Sequence, residues 1–198
     1  MPWGFRPHAD TASLVARVAR GDGHALDLVY RAEAAEVYRF ALAMSGNAAW
    51  AADVTQDAFV HLAEQPGGYE PAKGPLRAYL CGIARHHLLA RWREARRHAV
   101  VADEDAEPAD EDGEGGHPSP ETELVRAQDT AALWSALRRL PWSFREAVVL
   151  VDVQERPYAE AAAIAGIELN TLRTRVHRGR QRLAALLAAP QGVMAHDD

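Results

Sequence analysis

Cysteine is almost absent from this 198-residue chain. Cys81 alone cannot close an internal disulfide, which excludes a small disulfide-stapled scaffold and favours a reducing compartment. No apolar run approaches the roughly 20 residues that a membrane-spanning helix needs, and no stretch resembles a secretory signal, so a soluble cytoplasmic protein is expected. Lysine occurs once, at Lys73, every other basic residue being arginine; that bias fits a GC-rich genome and carries no functional weight. A Gly-rich phosphate loop, a closely spaced Cys/His ligand set and a recognisable Ser-His-Asp arrangement are all missing, so no cofactor, no metal and no enzymatic activity are expected. His86 and His87 are neighbours and would point about 100° apart on a helix, too far apart to chelate one metal together.

Bases are missing altogether from one stretch. From Asp103 to Glu123 there are ten acids and no Lys or Arg, so the net charge of −6 conceals an excess of four bases over the remainder. The same stretch holds Pro108, Pro118, Pro120 and the run EDGEGG, with nothing aliphatic larger than alanine before Leu124. Too little apolar area can be buried there to offset the entropy of ordering it. It reads as a flexible acidic linker over 99–120, joining two small domains at 1–98 and 121–189 and leaving a short tail at 190–198.

What is present is helical periodicity. Apolar residues recur at helical spacing nearly everywhere, and the alternation of β-branched residues expected of strands is confined to AVVLVDV at 147–153, which predicts an all-α fold. In the first domain, Asp10 reads as the N-cap of a helix over about 11–20, followed by helices over about 24–45, 48–64 and 76–97. Ser45, Gly46 and Asn47 form the stop between two of them, and the stripe Leu26, Val29, Tyr30, Val37, Phe40, Ala41 and Met44 is a candidate core. In the second domain a helix over 121–140 ends at Pro141, and Ser143 can cap a short helix to about Asp152. Pro157 suits the first turn of a helix that ends at Gly166, and a longer helix begins near Leu169; helix, glycine turn and helix form a helix-turn-helix pattern.

The last helix carries the clearest chemistry. At ~100° per residue Leu172, Val176, Gly179, Leu183 and Leu186 share one stripe. Asn170, Arg173, Thr174, His177 and Arg178 lie opposite, with Thr171, Arg175, Arg180 and Arg182 on the flanks. Between 170 and 182 no acid interrupts the arginines, whereas a merely solvated face mixes both signs. An α-helix fits the DNA major groove, its N-terminal residues reach base edges, and flanking Arg and Thr meet phosphates. By position Arg173, Thr174 and His177 face base edges, and Thr171, Arg175, Arg178 and Arg180 face backbone.

The segment from Asp53 to Arg97 resembles conserved region 2 of bacterial RNA polymerase sigma factors of the extracytoplasmic-function group, within the sigma-70 family. Leu137 to Leu187 resembles their region 4. The resemblance implies an all-α, two-domain protein that binds core RNA polymerase, recognises promoter DNA and is open to sequestration by an anti-sigma factor. It implies that Asp53, Gln56, Asp57 and Phe59 dock on the polymerase. It also implies a region-2 pocket for an extruded base of the −10 element, for which Tyr69, Lys73, Arg77, Arg85, His86 and Arg91 are candidates. Region 4 would read the −35 element through Asn170, Thr171, Arg173, Thr174, Arg175, His177, Arg178 and Arg180.

The chain departs from the family pattern in places. Trp50, Ala51 and Ala52 stand where acids are common, His86 where an Asn is frequent, and Pro157 and Glu168 where Ser caps are common. In the acid-depleted patch a phosphate on Thr55 would restore negative charge facing a basic partner. Two rival readings remain at this point: a helix-turn-helix regulator that never docks on polymerase, and an interaction adaptor that binds no DNA.

Overall fold

The computed structural model describes residues 7–102 and 122–188. Among them every regular element is helical, as the periodicity predicts. In chain order these are α1 (Pro7–Val18), α2 (Gly23–Ser45), α3 (Ala48–Glu64), α4 (Leu76–Ala102), α5 (Thr122–Arg139), α6 (Trp142–Val148), α7 (Tyr158–Ala165) and α8 (Leu169–Ala188). Most of the acidic stretch expected to be a linker, and the C-terminal tail, lie outside the described residues; α4 itself continues through 99–102.

Local chemistry sets the helix ends. Asp22 caps α2, its Oδ1 accepting the Ala25 N–H at 3.1 Å while Oδ2 accepts from Arg17 Nε at 2.8 Å. Asp10, expected to start the first helix, instead lies inside α1, because the helix begins at Pro7, which suits a first turn. Gly46 ends α2 at φ 67°, and Asn47 caps α3 by accepting the Trp50 N–H at 2.9 Å. Ser143, expected as a cap, sits in the first turn of α6 behind Pro141, which occupies the N-cap position without a side-chain hydrogen bond.

The apolar stripes of α2, α3 and α4 bury Val37, Phe40, Met44, Val54, Leu62, Leu80 and Leu88. Tyr30, expected in this core, is 48% exposed; it rests edge-on against Phe59 at 4.8 Å and closes the core from its rim. In the C-terminal half, Leu137, Leu140 and Val148 pack with Leu183 and Leu186. α8 crosses α6 so closely that a Cβ on Gly179 would stand 2.7 Å from Val148 Cγ2 and 3.1 Å from the Phe144 carbonyl oxygen.

The two halves meet. One apolar cluster runs from Leu80, Cys81, Ala84 and Leu88 of α4 into Leu150 and into Ala161, Ile164 and Ala165 of α7. Polar pins cross the same boundary: Arg145 Nη1 donates to the Met44 carbonyl at 2.7 Å and Gln154 Nε2 to the Glu36 carbonyl at 3.3 Å. Arg145 also donates to the Arg138 and Leu140 carbonyls, and burial lowers its pKa to about 10. Between α6 and α7, Val149–Val153 forms a π-helical turn, with the Gln154 N–H bonded to the Val149 carbonyl at 2.9 Å.

Candidate nucleic-acid interface

α7, the turn at Gly166 (φ 65°, ψ 38°) and α8 form a helix-turn-helix. The Ile167 N–H returns to the Ala162 carbonyl at 3.1 Å, closing the end of α7. Leu172 and Val176 are buried, and with Gly179 they seat α8 against the unit. This leaves Asn170, Thr171, Arg173, Thr174, His177, Arg178 and Arg180 exposed, with Arg175 half-buried. Asn170 and Arg173 are joined at 3.2 Å, and Thr174 Oγ1 donates to the Asn170 carbonyl at 3.0 Å, so the N-terminal turn presents an ordered polar group. Arg182 instead lies over the Phe144 ring, 4.4 Å from its centroid, and covers apolar surface.

On α3, Asp53 and Gln56 are exposed and Asp57 is half-buried, on one face as their spacing requires. Phe59 and Val54 point inward, at 4% and 0% exposure. Asp53 and Asp57 are paired in the chain itself: Arg91 Nη1 approaches Asp53 at 3.0 Å, and Arg91 Nη2 and His87 Nδ1 approach Asp57 at 3.6 and 3.7 Å. Arg91 is thereby brought to the acids rather than to the other candidates on its helix. Thr55 is buried and its hydroxyl donates to the Ala51 carbonyl at 2.7 Å. The expected phosphate acceptor is therefore turned into the helix, and the idea of an accessible Thr55 is corrected.

Tyr69, Lys73 and His86 line a cavity of about 600 Å³ together with His61, Tyr79 and Ile83, one wall being Ala163 and Ile164 of α7. Tyr69 is itself largely buried: its ring lies 5.7 Å from that of Tyr79 and its hydroxyl donates to the Gly74 carbonyl at 3.3 Å. Burial raises the pKa of both phenols. Lys73 pairs with Glu70 at 2.7 Å. Arg77 and Arg85 do not join the cavity; they turn to the C-terminal half, Arg77 to Glu160 at 3.6 Å and Arg85 to the buried carboxylate of Glu146.

Sequence reasoning passed over Glu146 and Arg156. Glu146 is the one acid in the largely apolar run FREAVVLV, which is a signal in itself, since a buried acid needs a partner. Arg156 is 6% exposed, donates to Glu160 and to Gln154 Oε1, and lies 3.4 Å from Cys81 Sγ.

An all-helical chain whose C-terminal helix-turn-helix presents an acid-free arginine face belongs with the DNA-binding transcription proteins. The family comparison narrows the class. Residues 29–98 match the model of sigma-70 region 2 and residues 130–183 that of sigma-70 region 4. The chain is 36% identical over 176 residues to the ECF RNA polymerase sigma factor SigE of Mycolicibacterium smegmatis, covering 86% of this chain and 65% of that protein. To the ECF RNA polymerase sigma factor EcfG of Rhodopseudomonas palustris it is 33% identical over 148 residues, covering 75% and 77% respectively. The fold matches that of the sigma factor RpoE in complex with the anti-sigma factor NepR from Bartonella quintana, with a TM-score of 0.66 at 24% identity over 83% of this chain and 98% of that one. The chain belongs to the extracytoplasmic-function sigma factors, proteins that bind core RNA polymerase and direct promoter-specific initiation of transcription.

Proposed function

We propose that this chain acts in the cytoplasm as a non-enzymatic specificity subunit: it docks on core RNA polymerase through α3, reads the −35 duplex through α8 and engages the −10 element through α4 and the loop before it. The single observation that carries the reading is the occurrence, in one chain and in family order, of both sigma regions with an exposed, acid-free arginine face on the second. Asp53, Gln56 and Asp57 supply the polymerase contact, and Phe59 supports their helix from inside. Asn170, Arg173, Thr174 and His177 supply base contacts, with Thr171, Arg175, Arg178 and Arg180 on phosphates. Lys73 and His86 border the cavity that would take an unstacked base, with Tyr69 and Tyr79 as its aromatic floor.

In this reading the functional division runs 1–98, 99–120 and 121–189, and two weak DNA contacts suffice because polymerase holds both at once. The relative RpoE is bound by an anti-sigma factor, and a regulator of that kind is the further partner we expect. Run-off transcription with purified bacterial core polymerase on a promoter library tests the reading. Initiation at a defined promoter subset is the expected result, and absence of both polymerase binding and initiation overturns it. Promoter binding without polymerase binding would favour the free-standing regulator instead.

A further inference from the structure

α3 and α4 meet through a small ladder of opposite charge. Asp53 and Asp57 stand one turn apart on α3, Arg91 and His87 one turn apart on α4, and the order is antiparallel. Arg91 is the hub. Its Nη1 donates to Asp53 Oδ2 at 3.0 Å, its Nη2 lies 3.6 Å from Asp57 Oδ2, and His87 Nδ1 approaches that same oxygen at 3.7 Å. One guanidinium therefore spans two carboxylates. Each of these contacts falls on an Oδ2 oxygen, and among the described residues neither Oδ1 receives a hydrogen bond. The side chains of Asp53 and Asp57 remain 58% and 42% exposed, against 32% for Arg91.

Arg91 also stands apart from the other cations that the family resemblance brings forward for the −10 element. Lys73 and His86 line the cavity, His87 lies between it and Asp57, and Arg91 is not among the lining residues. Arg77 and Arg85 turn to Glu160 and Glu146. Like charges at i and i+4 repel, and a free aspartate side chain gives up rotamer freedom when a partner grips it. A planar fork set between the two acids removes both obstacles before the partner arrives. Because an exposed ion pair adds little to folding stability, the effect of this one lies in what it presents. We propose that Arg91 is a positioning residue for polymerase docking: it serves α3 rather than the −10 element, holding Asp53 and Asp57 as a preset pair with Oδ1 of each left for a cationic surface of the polymerase. The inference rests on the docking role given to the two acids above.

Charge alone predicts the opposite sign. Arg91→Gln leaves the α3 face more acidic, which by simple attraction tightens its hold on a basic partner. Loss of positioning weakens it instead. The test is run-off transcription on a promoter library with purified bacterial core polymerase, titrated with the full chain, so that the half-saturating concentration reports docking and the plateau reports promoter opening. Arg91→Gln should raise the half-saturating concentration about three- to tenfold, the scale of ordering one flexible side chain on association, with the plateau unchanged. Arg91→Lys restores the charge and should recover at least half of that loss. With Asp53→Asn already in place, Arg91→Gln should have a smaller effect, because one of the two carboxylates it holds has gone.

A half-saturating concentration that stays the same or falls overturns the proposal. So does a plateau that drops at an unchanged half-saturating concentration, which returns Arg91 to the −10 element. Equal effects of Arg91→Gln with and without Asp53, or no recovery by lysine, overturn it as well, since Arg91 would then act away from the acids. Loss of helicity by circular dichroism in Arg91→Gln also counts against it, because the pair would then hold the fold rather than the docking face. Asp53→Asn and Asp57→Asn, measured singly, separate the failures. If neither weakens docking, the docking face of the proposed function falls and the inference with it; if both weaken docking while Arg91→Gln is neutral, the inference alone falls.

Discussion

Arg180 of α8 grips Asp152 with two parallel hydrogen bonds, Nε to Oδ2 at 3.0 Å and Nη2 to Oδ1 at 2.5 Å. The hydrogen bond to Asp152 raises the guanidinium pKa further, so this cation is already committed within the protein. Asp152→Ala is expected to tighten duplex binding about two- to fivefold, because an exposed pair is worth no more than about 1 kcal/mol. Arg180→Ala should weaken binding and reduce the slope of log affinity against log salt by about 1 if the arginine meets a phosphate. Anisotropy titrations of a promoter duplex over a salt series measure both.

The pair formed by Arg85 and Glu146 gives an asymmetric expectation. Arg85→Met leaves a buried carboxylate without its partner and should cost about 3 kcal/mol, whereas Glu146→Gln keeps a hydrogen-bond acceptor and should stay within about 1 kcal/mol of wild type. Burial raises the Glu146 carboxyl above its ordinary 4.5, against the opposing pull of Arg85 and Arg175. A raised acid favours the folded state while protonated, so its contribution is complete below the unfolded value and is lost as pH climbs through the folded one. The stability of Glu146→Gln relative to wild type should therefore improve from pH 4 towards pH 7, as urea titrations at a series of pH values would reveal.

Gly179 is required by close approach rather than by backbone angle. A methyl carbon at this position would sit 2.7 Å from Val148 Cγ2 and 3.1 Å from the Phe144 carbonyl oxygen, so Gly179→Ala must push α8 off α6. The expected cost is about 1–3 kcal/mol, accompanied by loss of duplex binding while polymerase binding through α3 persists. Thermal unfolding and a polymerase pull-down on the same variant separate the two effects.

Thr55 separates packing from charge. Thr55→Val keeps the shape and gives up only the bond to the Ala51 carbonyl, an expected loss of about 1 kcal/mol. Thr55→Glu forces a carboxylate into a site 4% exposed and should destabilise by at least about 2 kcal/mol. If Thr55→Glu unfolds as late as wild type in urea and binds polymerase better, the hydroxyl is not confined as described.

Periodicity and turn chemistry locate most helices to within a few residues, because those signals are local. Gly46 and Gly166 adopt the left-handed turns their positions suggest, and the stripe Leu172, Val176 and Gly179 faces inward. Sequence and structure differ where local solutions compete: α1 begins at Pro7 and takes Asp10 into its interior rather than as its cap, and Tyr30 ends its stripe at the rim beside Phe59. The contact of α4 with the C-terminal half is not legible in the sequence at all. Arg85 and Glu146 are 61 positions apart and Gln154 and Glu36 are 118 apart, so no window of sequence holds both partners. The run AVVLVDV, strand-like by composition, is taken up instead by the end of α6 and the π-helical turn.

That wide turn has a consequence for insertions and deletions. Gln154 reaches back five residues to Val149, and Arg156 six to Leu150, at 2.9 and 3.0 Å, so the stretch carries slack that an ordinary helical turn would not. Excising one residue from 149–153 would restore tighter winding and swing everything downstream by ~100° about the helix axis. Arg156 would then point away from Cys81 although no contact residue had been replaced. Chains of this kind that differ by a single codon within that stretch would share their side chains and yet pack differently.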